Sequence, residues 1–126
     1  MTKILIVDDE SKIRQLFKKF LSNEDYEILE AKDCTIAAQL LIDNKDIQLI
    51  LLDINMPLLD GGVLYRMTRM LDPKVKVIVT SVYPLQDQKK RIDRADDYFD
   101  KSQSMQILVQ KVKRVLSEQG PPVLKI

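Results

Sequence analysis

No histidine occurs among the 126 residues, and that absence removes more chemistry than any other feature of the composition. Without imidazole there is no Ser-His-Asp or Cys-His catalysis, no His-ligated zinc and no phosphohistidine carried by the chain itself. A single cysteine, Cys34, cannot form an internal disulfide, which fits a reducing cytoplasm. With no histidine to activate it, Cys34 reads as a small, half-buried helix residue rather than a nucleophile. Apolar runs fall well short of the roughly 20 residues that a membrane span needs. The start, Met1-Thr2-Lys3-Ile4, enters an apolar segment at once and carries no small-residue cleavage site, so no signal peptide is expected. Glycines number three, and no Gly-x-x-x-x-Gly-Lys loop exists to cradle a nucleotide's phosphates. Neither charge is in excess. Twenty Lys and Arg against 19 Asp and Glu create no field favouring nucleic acid or an anionic membrane.

What is present fits one ordinary globular domain. The chain is long enough for one hydrophobic core and too short for two, with 45% apolar and 31% charged residues. Its chemistry must run on carboxylates, lysines and Ser/Thr hydroxyls, which a hard metal could join.

Short β-rich runs alternate with helix-period segments. Lys3 to Asp8 is continuously apolar until its last residue and reads as a buried strand. Ile13, Leu16, Phe17, Phe20 and Leu21 then mark one face of a helix. Tyr26 to Ala31 reads as an edge strand because of Glu27 and Glu30. Asp33 caps a helix packing through Ile36, Ala37, Leu40 and Leu41. Ile47 to Asp53 is the most apolar strand and the expected centre of the sheet. A turn from Asn55 to Gly61 leads to a helix packing through Val63, Met67, Met70 and Leu71. Val75 to Thr80 makes a fourth strand, Leu85 to Asp93 a polar fourth helix, and Asp97 to Phe99 a short fifth strand. The last helix packs through Met105, Leu108, Val109, Val112, Val115 and Leu116. Gly120-Pro121-Pro122 breaks it, so the domain is expected over residues 1–118, with 119–126 a tail or the start of a linker.

Five strands alternating with five helices predict an α/β fold, a doubly wound parallel sheet covered on both faces. Such sheets bind ligands outside the carboxyl ends of their strands. The residues at those ends are Asp8, Asp9 and Glu10, then Asp53, Thr80 and Lys101. Singly, each is an ordinary cap, turn or solvated residue. Together they crowd carboxylates whose repulsion a divalent cation would relieve, and an all-oxygen site suits Mg²⁺ better than Zn²⁺. With Mg²⁺, one carboxylate can attack phosphorus while the metal and Lys101 offset charge on the phosphoryl oxygens. A hydroxyl such as Thr80 could donate to one of them.

The chain here resembles the receiver domains of two-component response regulators, over nearly its whole length from about Lys3 to Leu116. The matching pieces are Ile-Leu-Ile-Val-Asp8-Asp9-Glu10, Leu-Leu-Asp53-Ile-Asn-Met-Pro57 with Asp60-Gly61, Thr80-Ser81, and Ala95-Asp96-Asp97-Tyr98-Phe99-Asp100-Lys101. The resemblance implies a flavodoxin-like receiver fold with strand order 2-1-3-4-5. It implies that Asp53 is the phosphoacceptor and that Asp9 ligates Mg²⁺ directly. Asp8 would act mainly through water, and the Asn55 backbone carbonyl would complete the protein ligands. Lys101 would pair with Asp53 and then with the phosphoryl group. Thr80 would swing inward to meet that group, and Tyr98 matches the aromatic switch residue that moves with Thr80. From residue type alone, Tyr98 is an edge-strand core residue.

The implied function is a cytoplasmic phosphorylation switch, not an enzyme beyond self-catalysed phosphoryl acceptance and autodephosphorylation. The implied donor is a sensor histidine kinase or a histidine phosphotransfer protein. The face of the fourth helix, fifth strand and last helix would engage a downstream protein, a fused output domain or a second copy of the chain, with no direct nucleic-acid or membrane contact. Two positions depart from the family pattern. Ser102 stands where proline usually follows the lysine, and Arg94 stands where glycine is favoured.

Other readings share parts of this chemistry. A Mg²⁺-dependent phosphohydrolase with an aspartyl nucleophile usually needs cap segments, and nothing here is long enough to form one. A flavin module would need a hydroxyl- or glycine-rich loop after the first strand, where Asp8-Asp9-Glu10 repels phosphate in the absence of metal. A receiver-like domain working without phosphorylation remains the third alternative, although the pocket acids are intact.

Overall fold

A computed structural model describes residues 1–22, 24–55 and 61–118, apart from the side chain of Arg91. Ten elements alternate along the chain: β1 (Thr2–Val7), α1 (Ser11–Leu21), β2 (Tyr26–Ala31), α2 (Cys34–Asp43), β3 (Ile47–Asp53), α3 (Gly61–Leu71), β4 (Lys76–Ser81), α4 (Leu85–Arg91), β5 (Asp97–Asp100) and α5 (Met105–Ser117). The strands form one five-stranded sheet in the order β2-β1-β3-β4-β5, every pair parallel. This is the expected doubly wound architecture, with the apolar β3 at its centre and the glutamate-bearing β2 at an edge.

Strand periodicity divides the core into two layers. Leu5, Val7, Ile50, Leu52, Val77 and Val79 face a cluster that includes Ala37 of α2 and Leu64 of α3, with Leu85 of α4 packed against it. The alternate residues Ile4, Ile6, Leu49, Leu51 and Ile78 face Phe17 and Leu21 of α1 and Leu108, Val112 and Val115 of α5. Both faces of the sheet are buried, which is why β1 and β3 read as continuous apolar runs rather than alternating ones.

Local signals match their elements closely. The Asp33 carboxylate accepts a hydrogen bond from the Ile36 N–H at 2.9 Å, capping α2 as its position suggests. In α1, Phe17 and Leu21 are buried while Leu16 is exposed, so the helix buries a narrower stripe than the apolar spacing predicts. In α3 the expected face is displaced. Leu64 and Thr68 are buried, whereas Met70 and Leu71 are exposed. Thr68 is tolerated inside because its hydroxyl donates to the Leu64 carbonyl at 2.8 Å, a local bond that periodicity of apolar residues does not reveal. Cys34 is buried rather than half-buried. The fourth helix ends at Arg91, two residues before its expected end. The turn residues Met56 to Asp60 and the tail from 119 lie outside the described residues.

Candidate functional site at the carboxyl ends of the strands

The parallel register brings the predicted residues to one rim. Asp53 closes β3 and pairs directly with Thr80 on β4, while Ser81 pairs with Asp100 on β5. Asp8 follows β1, its N–H donating to the Ala31 carbonyl at 3.1 Å. Asp8, Asp53 and Thr80 are all buried; Asp9 is exposed. Carboxylate oxygens of Asp8, Asp9 and Asp53 lie within 4.8 Å of one another. Sequence reasoning placed these three together, and the fold does the same.

Each buried acid has one oxygen bound by a backbone N–H and the other turned to a cation. Asp8 Oδ1 accepts the Glu10 N–H at 2.9 Å, and Asp53 Oδ1 accepts the Asn55 N–H at 2.9 Å. The second oxygens face the Lys101 ammonium, at 2.7 Å for Asp8 and 3.3 Å for Asp53. Asp8 Oδ2 meets that ammonium as an ion pair only, accepting no aligned hydrogen bond while fully buried. Burial pushes the Asp53 carboxyl above the ordinary carboxylate range; the Asn55 N–H and Lys101 oppose the rise, and the Asp8 charge adds to it. Burial alone would lower the Lys101 ammonium, but its close contact with Asp8 and the charge of Asp53 hold it above the usual lysine range.

Three carboxylates against one ammonium leave the cluster short of positive charge. An all-oxygen donor set with a buried, incompletely bonded Asp8 oxygen fits a hard divalent cation such as Mg²⁺. Zinc would draw on nitrogen or sulfur, and the chain has no histidine and only the buried Cys34.

Several supporting contacts escaped sequence reasoning because they join side chains to other segments of the chain. Arg14 of α1 donates to the Asp8 carbonyl at 2.7 Å and pairs with Glu30 at 3.3 Å, tying the loop after β1 to β2. The Asn55 side-chain amide donates to Ser81 Oγ at 2.9 Å, and the same oxygen accepts the Tyr83 N–H at 3.1 Å. Gln88 is entirely buried on α4, a helix whose sequence looked solvated. Its amide donates to the carbonyls of Tyr83 at 2.8 Å and Phe99 at 3.1 Å. Both neighbours are acceptors, so the amide nitrogen must face them, leaving Oε1 buried without a hydrogen-bond donor.

Tyr98 lies inward. Its hydroxyl donates to the Ile92 carbonyl and accepts the Ala95 N–H at 3.2 Å, and the Lys89 ammonium sits 5.7 Å from the ring centroid. The residue thus packs in the core, as its type alone suggested, while binding the end of α4 to the start of β5. A cavity of about 150 Å³ lined by Leu41, Ile47, Leu71 and Val75 lies at the opposite end of the sheet and takes no part in this site.

A parallel α/β sheet with an acidic triad and a lysine at its carboxyl edge defines a narrow class, and comparison with known proteins gives the same class. The family described as response regulator receiver domain matches residues 4–113. The transcriptional regulatory protein YxdJ of Bacillus subtilis is 32% identical over 114 residues, covering 90% of this chain and 49% of that protein. The phosphate regulon transcriptional regulatory protein PhoB of Pseudomonas aeruginosa is 34% identical over 122 residues, covering 94% of this chain and 53% of its own length. A CheY-like receiver domain from Methanospirillum hungatei superposes with a TM-score of 0.85 at 30% identity, covering 94% of this chain and 96% of that one. TrrA from Thermotoga maritima, solved with Mg²⁺ and BeF, gives a TM-score of 0.83 at 33% identity, covering 91% and 99% of the two chains. The chain belongs to the response regulator receiver family, whose work is phosphorylation-dependent two-component signalling. It spans about half the length of the curated relatives it matches.

Proposed function

We propose that Asp53 accepts a phosphoryl group in a Mg²⁺-dependent step and that this event switches the domain between two partner-binding states. The observation that carries the reading is the setting of the Asp53 carboxylate. One oxygen is held by the Asn55 N–H, while the other points at Lys101 inside a cluster of acidic oxygens. Asp53 Oδ2 would form the new bond to phosphorus as the P–N bond of a donor phosphohistidine breaks, its electron pair leaving on the imidazole nitrogen. Asp9, Asp8, Asp53 and the Asn55 carbonyl would hold the cation. When bound, Mg²⁺ offsets charge on the phosphoryl oxygens and on the acids themselves. Lys101 then exchanges its contact with Asp53 for one to the phosphoryl group, and Thr80 donates its hydroxyl to another phosphoryl oxygen. Hydrolysis of the acyl phosphate by the domain itself resets the switch.

Tyr98 supports the signalling half of this reading, because its hydroxyl ties together the two segments that would have to part. Movement of Thr80 on β4 would change the space beside Tyr98, its neighbour's neighbour in the sheet, and so the face of α4, β5 and α5. That face would bind a downstream protein, an output domain or a second copy, with a cytoplasmic histidine kinase or phosphotransfer protein as donor. A test is incubation with Mg²⁺ and a small acyl phosphate, followed by intact mass for wild type and Asp53→Asn. Wild type should gain one phosphoryl group and the variant none. Turnover of a phosphoester without a stable adduct would instead indicate a hydrolase.

A further inference from the structure

Lys101 reaches two buried carboxylates without a proline beside it, and the residues that arrange this are visible. Its backbone N–H donates to the Ser81 carbonyl at 2.7 Å, extending the β4–β5 ladder by one residue. Immediately before it, the Asp100 Oδ1 atom accepts both the Ser102 N–H at 2.8 Å and the Ser102 hydroxyl at 2.7 Å. Asp100 is gripped in turn by Gln103, whose Oε1 accepts the Asp100 N–H at 3.1 Å and whose N–H donates to the Asp100 carbonyl at 2.9 Å. Four hydrogen bonds therefore close a tight turn whose apex holds Lys101. These bonds from the Ser102 backbone and hydroxyl also keep the Asp100 carboxyl below its ordinary range.

We propose that Asp100 is the positioning residue for Lys101, its carboxylate doing through hydrogen bonds what a ring after the lysine would do by covalent restraint. A proline at 102 would have no N–H to offer, whereas Ser102 supplies two donors and Asp100 an oxygen able to take both. The arrangement fixes the backbone on both sides of Lys101, so the four-carbon stem leaves the strand already aimed at Asp8 and Asp53. Loss of the Asp100 acceptor frees the turn, and a misplacement on the order of 1 Å costs a positioned charge much of its effect. Among the described residues the carboxylate's hydrogen bonds go to Ser102, so its action passes through the turn that carries Lys101. This deepens the proposed function, since it assumes that Lys101 serves the Asp53 site.

The test is residue-resolved acetylation of lysines by an amine-reactive ester, read by mass spectrometry on the intact domain in wild type, Asp100→Ala and Asp100→Asn. The Lys101 side chain is 8% exposed and should resist the reagent; Lys76, at 16%, is remote and serves as the internal reference. Asp100→Ala should raise Lys101 labelling severalfold with Lys76 unchanged, while Asp100→Asn, which keeps an acceptor oxygen, should label like wild type. In parallel, the rate of phosphorylation at saturating Mg²⁺ and acyl phosphate should fall by about tenfold or more in Asp100→Ala and recover in Asp100→Asn. Equal Lys101 labelling in wild type and Asp100→Ala would overturn the proposal, as would a rise shared by Lys76, which reports general loosening. Altered labelling in a domain that takes no phosphoryl group would leave the positioning intact and remove the proposed function instead.

Discussion

The Lys101 ammonium sits closer to Asp8 than to Asp53, at 2.7 Å from Asp8 Oδ2 against 3.3 Å from Asp53 Oδ2. The lysine therefore bridges the two buried acids rather than pairing with Asp53 alone. In the absence of metal it is the main countercharge for both. Asp53 is left with the longer of the two contacts.

Removing that countercharge should be costly. Lys101→Met leaves two buried carboxylates without a cation, and breaking a buried pair by deleting one partner typically costs about 3 kcal/mol. Chemical denaturation should show a loss of that order without Mg²⁺ and a smaller one with it, because a divalent ion held by the acids would supply charge to the same oxygens.

The pH dependence follows from Asp53. Burial holds its folded-state pKa above the ordinary value of 3.8, so the fold binds this proton more tightly than the unfolded chain does. Its contribution to stability is complete below that ordinary value and is lost as pH rises through the raised one. Lys101 does not intrude in this window, since its raised pKa affects stability only on the alkaline side. Melting temperatures of the metal-free domain should thus decline from about pH 4 towards pH 7 by more than those of Asp53→Asn. Saturating Mg²⁺ should flatten the wild-type profile.

Tyr98→Phe keeps the ring and deletes the hydroxyl that joins Ile92 to Ala95. A loss of about 1–2 kcal/mol is expected in urea denaturation, since a buried carbonyl and an N–H lose their partner. Amide exchange should accelerate most between Ile92 and Ala95, the segment the hydroxyl secures.

Gln88→Ala should destabilise by about 2 kcal/mol, as the Tyr83 and Phe99 carbonyls lose their donor. A different result is expected at the far end of the sheet. There Asp96 accepts from Arg69 at 3.0 Å and from the Val77 N–H at 2.8 Å. Asp96→Ala should cost a similar amount while leaving the rate of Asp53 phosphorylation unchanged, because its partners belong to α3 and β4 at their ends remote from the acids.

Most of the architecture was legible in the sequence because it rests on local pattern. Continuous apolar strands, alternating helices and acids at strand ends suffice to place Asp8, Asp9, Asp53, Thr80 and Lys101 on one rim. The residues that were not legible act across long separations or through side chains of unexpected type. Thr68, which is no part of the apolar stripe, is buried through a bond to its own helix, and Gln88 hides in a segment rich in lysine. Asp96 and Asp100 belong to a recognisable run, but only coordinates separate their tasks. One braces the sheet's amino end; the other shapes the turn around Lys101. The absence of proline after Lys101 was legible, but the bonds that Asp100 makes with Ser102 and Gln103 could not be inferred from residue order.

The central claim is that Asp53 itself becomes phosphorylated, and borohydride reduction tests it most directly. Hydride attacks the carbonyl of an aspartyl phosphate, expels phosphate and leaves homoserine, marking the residue permanently. After treatment with Mg²⁺ and an acyl phosphate, peptide sequencing by mass spectrometry should find homoserine at position 53 alone, and none when Mg²⁺ is withheld. Homoserine at another aspartate, or none in the Mg²⁺-treated sample despite measurable Mg²⁺ binding, would contradict the account.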